Sequence, residues 1–261
     1  MAAAGSEANV AGLLAQLGRR TAWSTVLLIG DLSDRVLQEY RSVGVDTSHV
    51  IRTPTGRVAL YFMEPGESPM PGKVLYDRHN TPFRTTTADH YDWEALLNTK
   101  AVFVTGITAA LTETTAAVLY RLVDQADERG IEVILDVNHR TSLWSGDEAA
   151  RTLAPIAEKA AMLFCSRTDA KAVFGIEGTG PETARALRDR FGSRHVISTD
   201  QVNGVYVSSG DIGEGQFDVE RVPVVDRPGA GDAFVEARST ACSPVTCSQG
   251  SDVVSAPHPS P

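Results

Sequence analysis

From residue 101 onwards, the sequence alternates between short apolar runs and segments in which apolar side chains recur at helical spacing. The runs AVFVTGI, EVILDVN and MLFCS have the length of buried strands, and residues 112–129 between the first two have the pattern of an amphipathic helix. Strands that alternate with helices need right-handed crossovers, which give a largely parallel sheet covered on both faces. The alternation predicts an α/β fold.

Residues 50–80 interrupt this alternation. They hold two β-rich runs, VIRTPTGRVALYFME and KVLYDR, on either side of a turn rich in Pro and Gly. This pattern predicts a hairpin. We expect the hairpin to project from the sheet as a small β lid, roughly within residues 50–83.

Composition excludes several classes of partner. The chain has 261 residues, 42% of them apolar and 22% charged, and a formal net charge of −9. No cluster of Lys and Arg offers a surface to nucleic acid or to an anionic membrane, and no apolar run approaches the length of a membrane span. The first twenty residues lack the features of a signal peptide, and cysteines are few, so we expect a cytoplasmic location.

A short glycine motif carries the clearest chemical signal. Gly229, Ala230 and Gly231 precede Asp232 and an apolar stretch that can begin a helix. Free amide groups at a helix N-terminus bind anions, and an Asp beside them can take the proton of a hydroxyl that attacks a phosphoryl group. The alternative is a plain glycine turn whose Asp only favours the helix start, and spacing alone leaves both open.

The longer stretch DRPGAGDAF resembles the C-terminal signature of the ribokinase/PfkB family of sugar kinases, and the resemblance covers roughly residues 5–235. It implies a ribokinase-like three-layer α/β/α sandwich with a mainly parallel central sheet, and the cofactors ATP and Mg²⁺. It also implies that Asp232 is the general base and that Gly229, Ala230 and Gly231 form the anion hole. Asp226 and Asp169 would then act on magnesium through water.

Other stretches resemble the substrate segments of this family. GSEANVA is similar to a segment that binds sugar hydroxyls, and DVNHRTSLW is similar to fructokinases and 2-keto-3-deoxygluconate kinases. GITAAL and the lid stretch VLYDRHNTPF favour the ketodeoxygluconate branch, in which a lid arginine would meet an acidic sugar. The substrate-binding residues implied are Gly5, Ser6, Glu7, Asn9, Tyr61, Tyr76, Arg78, Arg140 and Asp232.

Two stretches resemble the nucleotide segments. SRTDA has Ser166 and Asp169 at the positions of an N-x-x-E pattern, and STDQVNGVYV resembles a strand and turn that lie along the nucleotide. Gln201 replaces the first glycine of that turn, and Asp200 adds a negative charge near the expected phosphates. The ATP-binding residues implied, besides the glycine motif, are Asn138, Ser166, Thr199, Asn203 and Gly204.

The leading hypothesis is an ATP-dependent kinase that phosphorylates the terminal hydroxyl of 2-keto-3-deoxygluconate. A fructokinase or another sugar kinase of the same family is the alternative. A third hypothesis is a catalytically impaired remnant, because the family's first strand and last helices have no counterpart here. We expect a kinase domain in residues 1–237, a disordered tail in residues 238–261, and a small-molecule sugar substrate. The lid also offers a surface for a homo-oligomer.

Overall fold

The computed structural model describes residues 2–64 and 73–219. Within these ranges the helices are α1 (Ser6–Gln16), α2 (Asp31–Ser42), α3 (Trp93–Leu96), α4 (Gly106–Leu111), α5 (Glu113–Glu128), α6 (Gly146–Ala157), α7 (Arg167–Phe174) and α8 (Gly180–Phe191). The strands are β1 (Val26–Leu28), β2 (Ile51–Thr53), β3 (Leu60–Glu64), β4 (Lys73–Asp77), β5 (Ala101–Thr105), β6 (Glu132–Asp136), β7 (Met162–Phe164), β8 (His195–Thr199), β9 (Val205–Ser209) and β10 (Gly213–Phe217).

The central sheet has the order β10-β9-β8-β7-β6-β5 among the described strands. Strands β5 to β8 are parallel, as the alternation with helices predicts. Strands β9 and β10 run antiparallel to their neighbours, so the sheet is mixed. Their short connections explain this, because a parallel pair needs a long crossover whereas an antiparallel pair needs only a turn.

Alternate residues of the sheet strands face two different helical layers. Leu135, Leu163 and Val196 belong to the main core, which α5, α6, α7 and α8 cover. Their neighbours Phe164 and Ile197 point the other way and pack with α1. Because side chains alternate across a strand, the sheet lies between two helical layers, which is the predicted three-layer arrangement.

The first part of the chain forms a smaller unit beside this sheet. Strands β1 and β2 pair in parallel as a separate two-stranded sheet. Helices α1 and α2 pack together through a third cluster that includes Ala8, Ala11 and Tyr40. The run AWSTVLLIG therefore forms a strand, but the strand is short and lies outside the six-stranded sheet.

The predicted lid is an antiparallel hairpin of β3 and β4, in which Tyr61 pairs with Tyr76. Its surface is unusually apolar, since Phe62 is 59% exposed and Leu75 is 66% exposed. Arg57 donates two hydrogen bonds to the Asp77 carboxylate and fixes the base of the hairpin. Asp77 is thus a structural residue of the lid.

The predicted helix after Gly231 and the predicted tail at residues 238–261 lie outside the described residues. In residues 2–64 and 73–219, no helix combines the length and the apolar character needed to cross a membrane.

Gly180, the first residue of α8, packs closely against the sheet. A methyl group at this position would overlap the ring of Tyr206, which is buried and donates a hydrogen bond to the Asn203 carbonyl oxygen at 2.9 Å. We expect Gly180→Ala to lower the free energy of unfolding by about 1–3 kcal/mol, the usual cost of overpacking. Urea unfolding of both proteins measures the difference.

Gly215 of β10 provides the control, because a methyl group there would make only ordinary contacts, at 3.4 Å or more, with Phe217 and Val207. Gly215→Ala should leave stability within about 0.5 kcal/mol of the wild type, as for most surface changes. Equal losses in the two variants would contradict the proposed packing of α8 on Tyr206.

Candidate active site

The candidate site lies at the carboxyl ends of β5 to β8, which meet at one edge of the sheet because these strands are parallel. Thr105, Asp136 and Thr199 are the last residues of β5, β6 and β8, and Ser166 follows β7 by two residues. Ligands of open α/β sheets bind at this edge. The topology therefore brings together four predicted segments that are far apart in the sequence.

Glu7 attaches the N-terminal segment to this edge. Its Oε1 atom accepts hydrogen bonds from Thr105 Oγ1 at 2.7 Å and from Thr108 Oγ1 at 2.6 Å. Thr105 ends β5, and Thr108 lies in α4, which is the GITAAL segment. Glu7 thus supports the site through protein contacts, and its predicted contact with the sugar stays a prediction.

Asn138 joins the N-terminal segment to the end of β6. Its side-chain Nδ2 donates to Asp136 Oδ2 at 3.1 Å and to Ser6 Oγ at 3.3 Å, and its backbone N–H donates to Asp136 Oδ1 at 3.2 Å. Its backbone is left-handed, with φ 38, a conformation that Asn tolerates better than most residues. Asn138 therefore orders the turn that carries Arg140.

Asn9 and Gly5 lie at the same end of α1. Asn9 Oδ1 accepts a hydrogen bond from the Tyr40 hydroxyl at 3.0 Å, which ties α1 to α2. Gly5 is the residue before the first turn of α1, and its carbonyl oxygen accepts from the Asn9 N–H at 2.7 Å. The four residues of the GSEANVA motif are thus gathered at one helix end beside β5 and β6.

The lid brings two tyrosines and an arginine together. The rings of Tyr61 and Tyr76 lie 6.5 Å apart, and the Arg78 guanidinium carbon lies 4.1 Å from the centre of the Tyr76 ring. Such stacking holds an arginine over an aromatic face. The lid therefore presents an aromatic surface with a fixed cation, as the sequence predicts.

Three arginines interact electrostatically in this region. Burial lowers the pKa of Arg78 below its usual value, the nearby guanidiniums of Arg140 and Arg84 lower it further, and Tyr76 and Glu7 act in the opposite direction. None of the three arginines forms an ion pair with a carboxylate in the part of the chain that the structure describes. Within the described residues, a bound anion could therefore approach these guanidiniums without displacing a carboxylate from a direct ion pair.

Arg84 was missed by the sequence analysis. It belongs to a short 3-10 helix, Pro82–Thr85. The Arg84 carbonyl oxygen accepts hydrogen bonds from the Thr112 and Thr114 hydroxyls, and these bonds fix the position of the helix. Those contacts span about thirty residues and leave no local pattern. The only available signal was a third arginine just beyond the lid.

The nucleotide segments meet on the other side of the site. Ser166 caps α7, because its Oγ accepts a hydrogen bond from the Asp169 N–H at 3.0 Å. Burial raises the pKa of Asp169, although hydrogen bonds from Ser166 and the His139 backbone lower it in part. Burial, and then the carboxylates of Asp169 and Asp136, raise the pKa of the Cys165 thiol well above its usual value.

The turn between β8 and β9 contains Thr199, Asn203 and Gly204. Its ends close through a hydrogen bond from the Asp200 N–H to the Gly204 carbonyl oxygen at 3.0 Å. Gly204 has φ 130, and a methyl group there would lie 3.0 Å from the Phe217 carbonyl oxygen, so this position requires glycine. Gln201 has φ 50 and adopts the left-handed conformation that a glycine would supply.

Several predicted residues lie outside the described residues: Asp226, Gly229, Ala230, Gly231 and Asp232.

In the described ranges, no group of three or more His, Cys, Asp or Glu side chains could hold a metal ion. Magnesium in kinases is usually held by one or two carboxylates together with the phosphates of the substrate. The half-buried carboxylate of Asp169 fits that pattern.

A cavity of about 420 Å³ opens at the opposite end of the sheet. Its lining includes Lys159, paired with Asp124 at 2.8 Å, and Arg194, paired with Glu132 at 2.6 Å. Because these lining charges are already neutralised, we place the candidate site at the carboxyl ends of the strands and not in this cavity.

Comparison with known proteins gives a consistent result. The model of the pfkB family carbohydrate kinases matches residues 1–237. The chain is 32% identical to a 2-dehydro-3-deoxygalactonokinase from Haloferax volcanii, over 90% of this chain and 73% of that protein. It is 31% identical to a 2-dehydro-3-deoxygluconokinase from Bacillus subtilis, over 88% of this chain and 71% of that protein.

Solved structures agree with these matches. The 2-dehydro-3-deoxygluconokinase from Thermotoga maritima is similar with a TM-score of 0.83 and 28% identity, over 91% of this chain and 76% of that one. A fructokinase from Xylella fastidiosa with bound ATP has a TM-score of 0.77 and 22% identity, over 94% of this chain and 80% of that one.

The half-buried carboxyl of Asp169 predicts a pH dependence. The pKa of Asp169 is raised in the folded chain. At pH values between about 3.9, the ordinary pKa of Asp, and the raised pKa, the carboxyl is therefore protonated in the folded chain and ionised in the unfolded chain. The wild type should therefore gain stability relative to Asp169→Asn as the pH falls through this interval. The gain is about 1.4 kcal/mol for each unit of the shift.

Urea unfolding at several pH values between 7 and 4, with EDTA present to remove metal ions, measures this difference. A wild type that loses stability relative to Asp169→Asn as the pH falls would show that the ionised carboxylate is favoured in the fold, and would contradict the prediction.

Proposed function

Because the chain belongs to the pfkB family of carbohydrate kinases, we propose that it transfers the γ-phosphoryl group of ATP to the terminal hydroxyl of 2-dehydro-3-deoxygluconate, also called 2-keto-3-deoxygluconate. The fold is the ribokinase-like α/β fold that the sequence predicts. The relatives named for sugar acids, at 31–32% identity, support an acidic sugar as the substrate.

The observation that carries this proposal is the position of Arg78, whose guanidinium carbon lies 4.1 Å from the centre of the lid Tyr76 ring and whose charge interacts with those of Arg84 and Arg140. Acidic groups that interact with these charges include Glu7, which is held by two threonine hydroxyls, and Asp169, which lies near Arg140. Mutual repulsion of guanidiniums is relieved when an anion binds between them, and Arg binds carboxylates strongly because it donates two parallel hydrogen bonds. A sugar that carries a carboxylate fits this site better than a neutral one.

The lid tyrosines would cover the sugar once it is bound. Tyr61 and Tyr76 are neighbours on one face of the hairpin, where each can offer a ring to the carbon skeleton and a hydroxyl to a polar group. Gly5, Ser6, Glu7 and Asn9 would line the opposite wall. Closure of such a lid excludes water and positions the terminal hydroxyl.

The chemical step is assigned from the sequence motif. Asp232 takes the proton of the terminal hydroxyl, the hydroxyl oxygen bonds to the γ-phosphorus, and the bond to the bridging oxygen breaks to release ADP. The amides of Gly229, Ala230 and Gly231 would bind the phosphates, with Asn138, Ser166, Thr199, Asn203 and Gly204 along the nucleotide. Asp169 and Asp226 would hold magnesium through water, and the ion would neutralise phosphate charge.

A fructokinase remains the alternative within the family. The D-x-N-x-R pattern that carries Asn138 and Arg140 occurs in both branches, so the lid arginine distinguishes them. A catalytically impaired chain is the alternative of another class, and absence of turnover with every sugar tested would favour it.

The substrate assignment predicts a selective defect in Arg78→Ala. Loss of a charged hydrogen bond costs on the order of 1.5–3 kcal/mol, so KM for 2-dehydro-3-deoxygluconate should rise about ten- to a hundredfold. Turnover of fructose, a neutral sugar, should change little. Coupled assays with both sugars, and with the galactonate epimer, measure this.

Arg57→Ala is the matched control, since Arg57 holds the same hairpin through Asp77 and has no place in the sugar site. Arg57→Ala should change KM by the same factor for both sugars. If Arg78→Ala lost activity equally with both sugars, Arg78 would be a residue that stabilises the lid. A wild type that prefers fructose would favour the fructokinase alternative.

The proposed base predicts a defect in turnover without a defect in binding. Asp232→Asn keeps the size of the side chain but cannot accept the proton, so kcat should fall roughly a hundred- to ten-thousandfold. The dissociation constants of ATP and of the sugar acid, measured by calorimetry, should stay within a few-fold. Unchanged kcat would exclude Asp232 as the base.

Assembly through the lid and a cytoplasmic location stay predictions from the sequence. The exposed side chains of Phe62 and Leu75 on the hairpin support the first of them, because exposed apolar patches often mark contacts between proteins.

A further inference from the structure

We propose that Arg167 is a charge-compensating residue of the nucleotide site: its ion pair with Asp200 cancels a carboxylate that would otherwise repel the phosphates of ATP. The proposal rests on the proposed function, in which ATP lies along the turn that joins β8 and β9. It assigns a role to two residues that the family motifs leave unassigned.

The contacts around Asp200 are specific. Arg167 Nη1 lies 3.0 Å from Asp200 Oδ2, and Asn203 Nδ2 donates to the same oxygen at 3.1 Å. The Asp200 side chain is only 15% exposed. Arg167 is held at a second point, because its Nε donates to the Gly178 carbonyl oxygen at 2.8 Å. The guanidinium is therefore fixed in place beside a largely buried carboxylate.

The pair bridges the two segments proposed to hold the nucleotide. Arg167 is the first residue of α7 and follows Ser166, whereas Asp200 follows Thr199 at the end of β8. Strands β7 and β8 are parallel neighbours, so their carboxyl ends lie side by side. A charge left on either residue would lie close to any anion bound along both segments.

The electrostatic consequence has a definite sign. With both residues present, their charges sum to zero. Loss of Arg167 leaves one negative charge beside the phosphates, and loss of the Asp200 charge leaves one positive charge. A unit charge several ångströms from a polyphosphate at the protein surface changes affinity by roughly tenfold, and salt weakens the effect.

Two other roles for Arg167 make different predictions. If Arg167 bound a phosphate directly, removal of Asp200 would not restore the affinity lost with Arg167. If Arg167 were only a structural connection between Gly178 and Asp200, its loss would weaken every ligand of the turn, whatever its charge. Adenosine is neutral and therefore separates charge from structure.

The test is calorimetric titration of the full chain with ATP and magnesium, without sugar. Arg167→Met should weaken ATP binding about tenfold, and Asp200→Asn should tighten it several-fold. The Arg167→Met/Asp200→Asn double variant should return to within about twofold of the wild type. Arg167→Lys, which keeps the charge, should also stay close to the wild type, and adenosine should bind all of these proteins alike.

Arg185→Met is the matched control. Arg185 forms an ion pair with Glu214 at 2.7 Å, with both side chains 50% exposed, and the substitution removes the same charge from a pair outside the site. It should leave ATP affinity unchanged. Melting temperatures of all variants show whether each protein is folded at the temperature of the titration.

The proposal is overturned if the double variant binds ATP as weakly as Arg167→Met, if Asp200→Asn weakens binding, if adenosine affinity falls in parallel, or if the wild type binds no ATP. The first three outcomes are distinct from failure of the proposed function, whereas a wild type that binds no ATP contradicts both. Phosphorylation of the sugar acid without restoration in the double variant overturns only the present proposal. The expected pattern of ATP affinities in a chain that phosphorylates no sugar overturns only the proposed function.

Discussion

The two hydrogen bonds that Glu7 accepts from Thr105 and Thr108 hold the candidate site together. They fix the start of α1 to the end of β5 and to α4, across about a hundred residues of sequence. Asn138 adds a second connection through Ser6. Ser6 and Glu7 of the N-terminal motif take their positions from these contacts, and the charge of Glu7 also interacts with that of the lid arginine, Arg78.

A network of this kind makes the site cooperative. Buried polar groups that satisfy one another lose more than one contact when a member is removed. The N-terminal motif, the end of β6 and the lid arginine are therefore expected to respond together to changes in any one of them. The nucleotide turn is organised separately, through Tyr206, Asn203 and the Arg167–Asp200 pair.

Much of the fold could be predicted from the sequence, because strands β5 to β8 and helices α5 to α8 follow simple periodic patterns. The strand β10 could not, since its residues, GEGQF, include two glycines and lack apolar alternation. The separation of β1 and β2 from the main sheet also had no local signal. The site segments were found through motifs, but their contacts depend on distant pairs. Arg84 and the partner of Asp200, which lies 33 residues away, became visible only in the folded chain.

The reactivity of the buried Cys165 thiol depends on local opening of the structure. Its thiol is buried beside the site, and its pKa is raised by burial and by two carboxylates, so it reacts poorly with thiol reagents while β7 and α7 stay in place. Modification at this residue requires a local opening of the structure. The rate of its labelling thus measures how often this part of the sheet opens, and a ligand that bridges β7 and β8 would slow that rate.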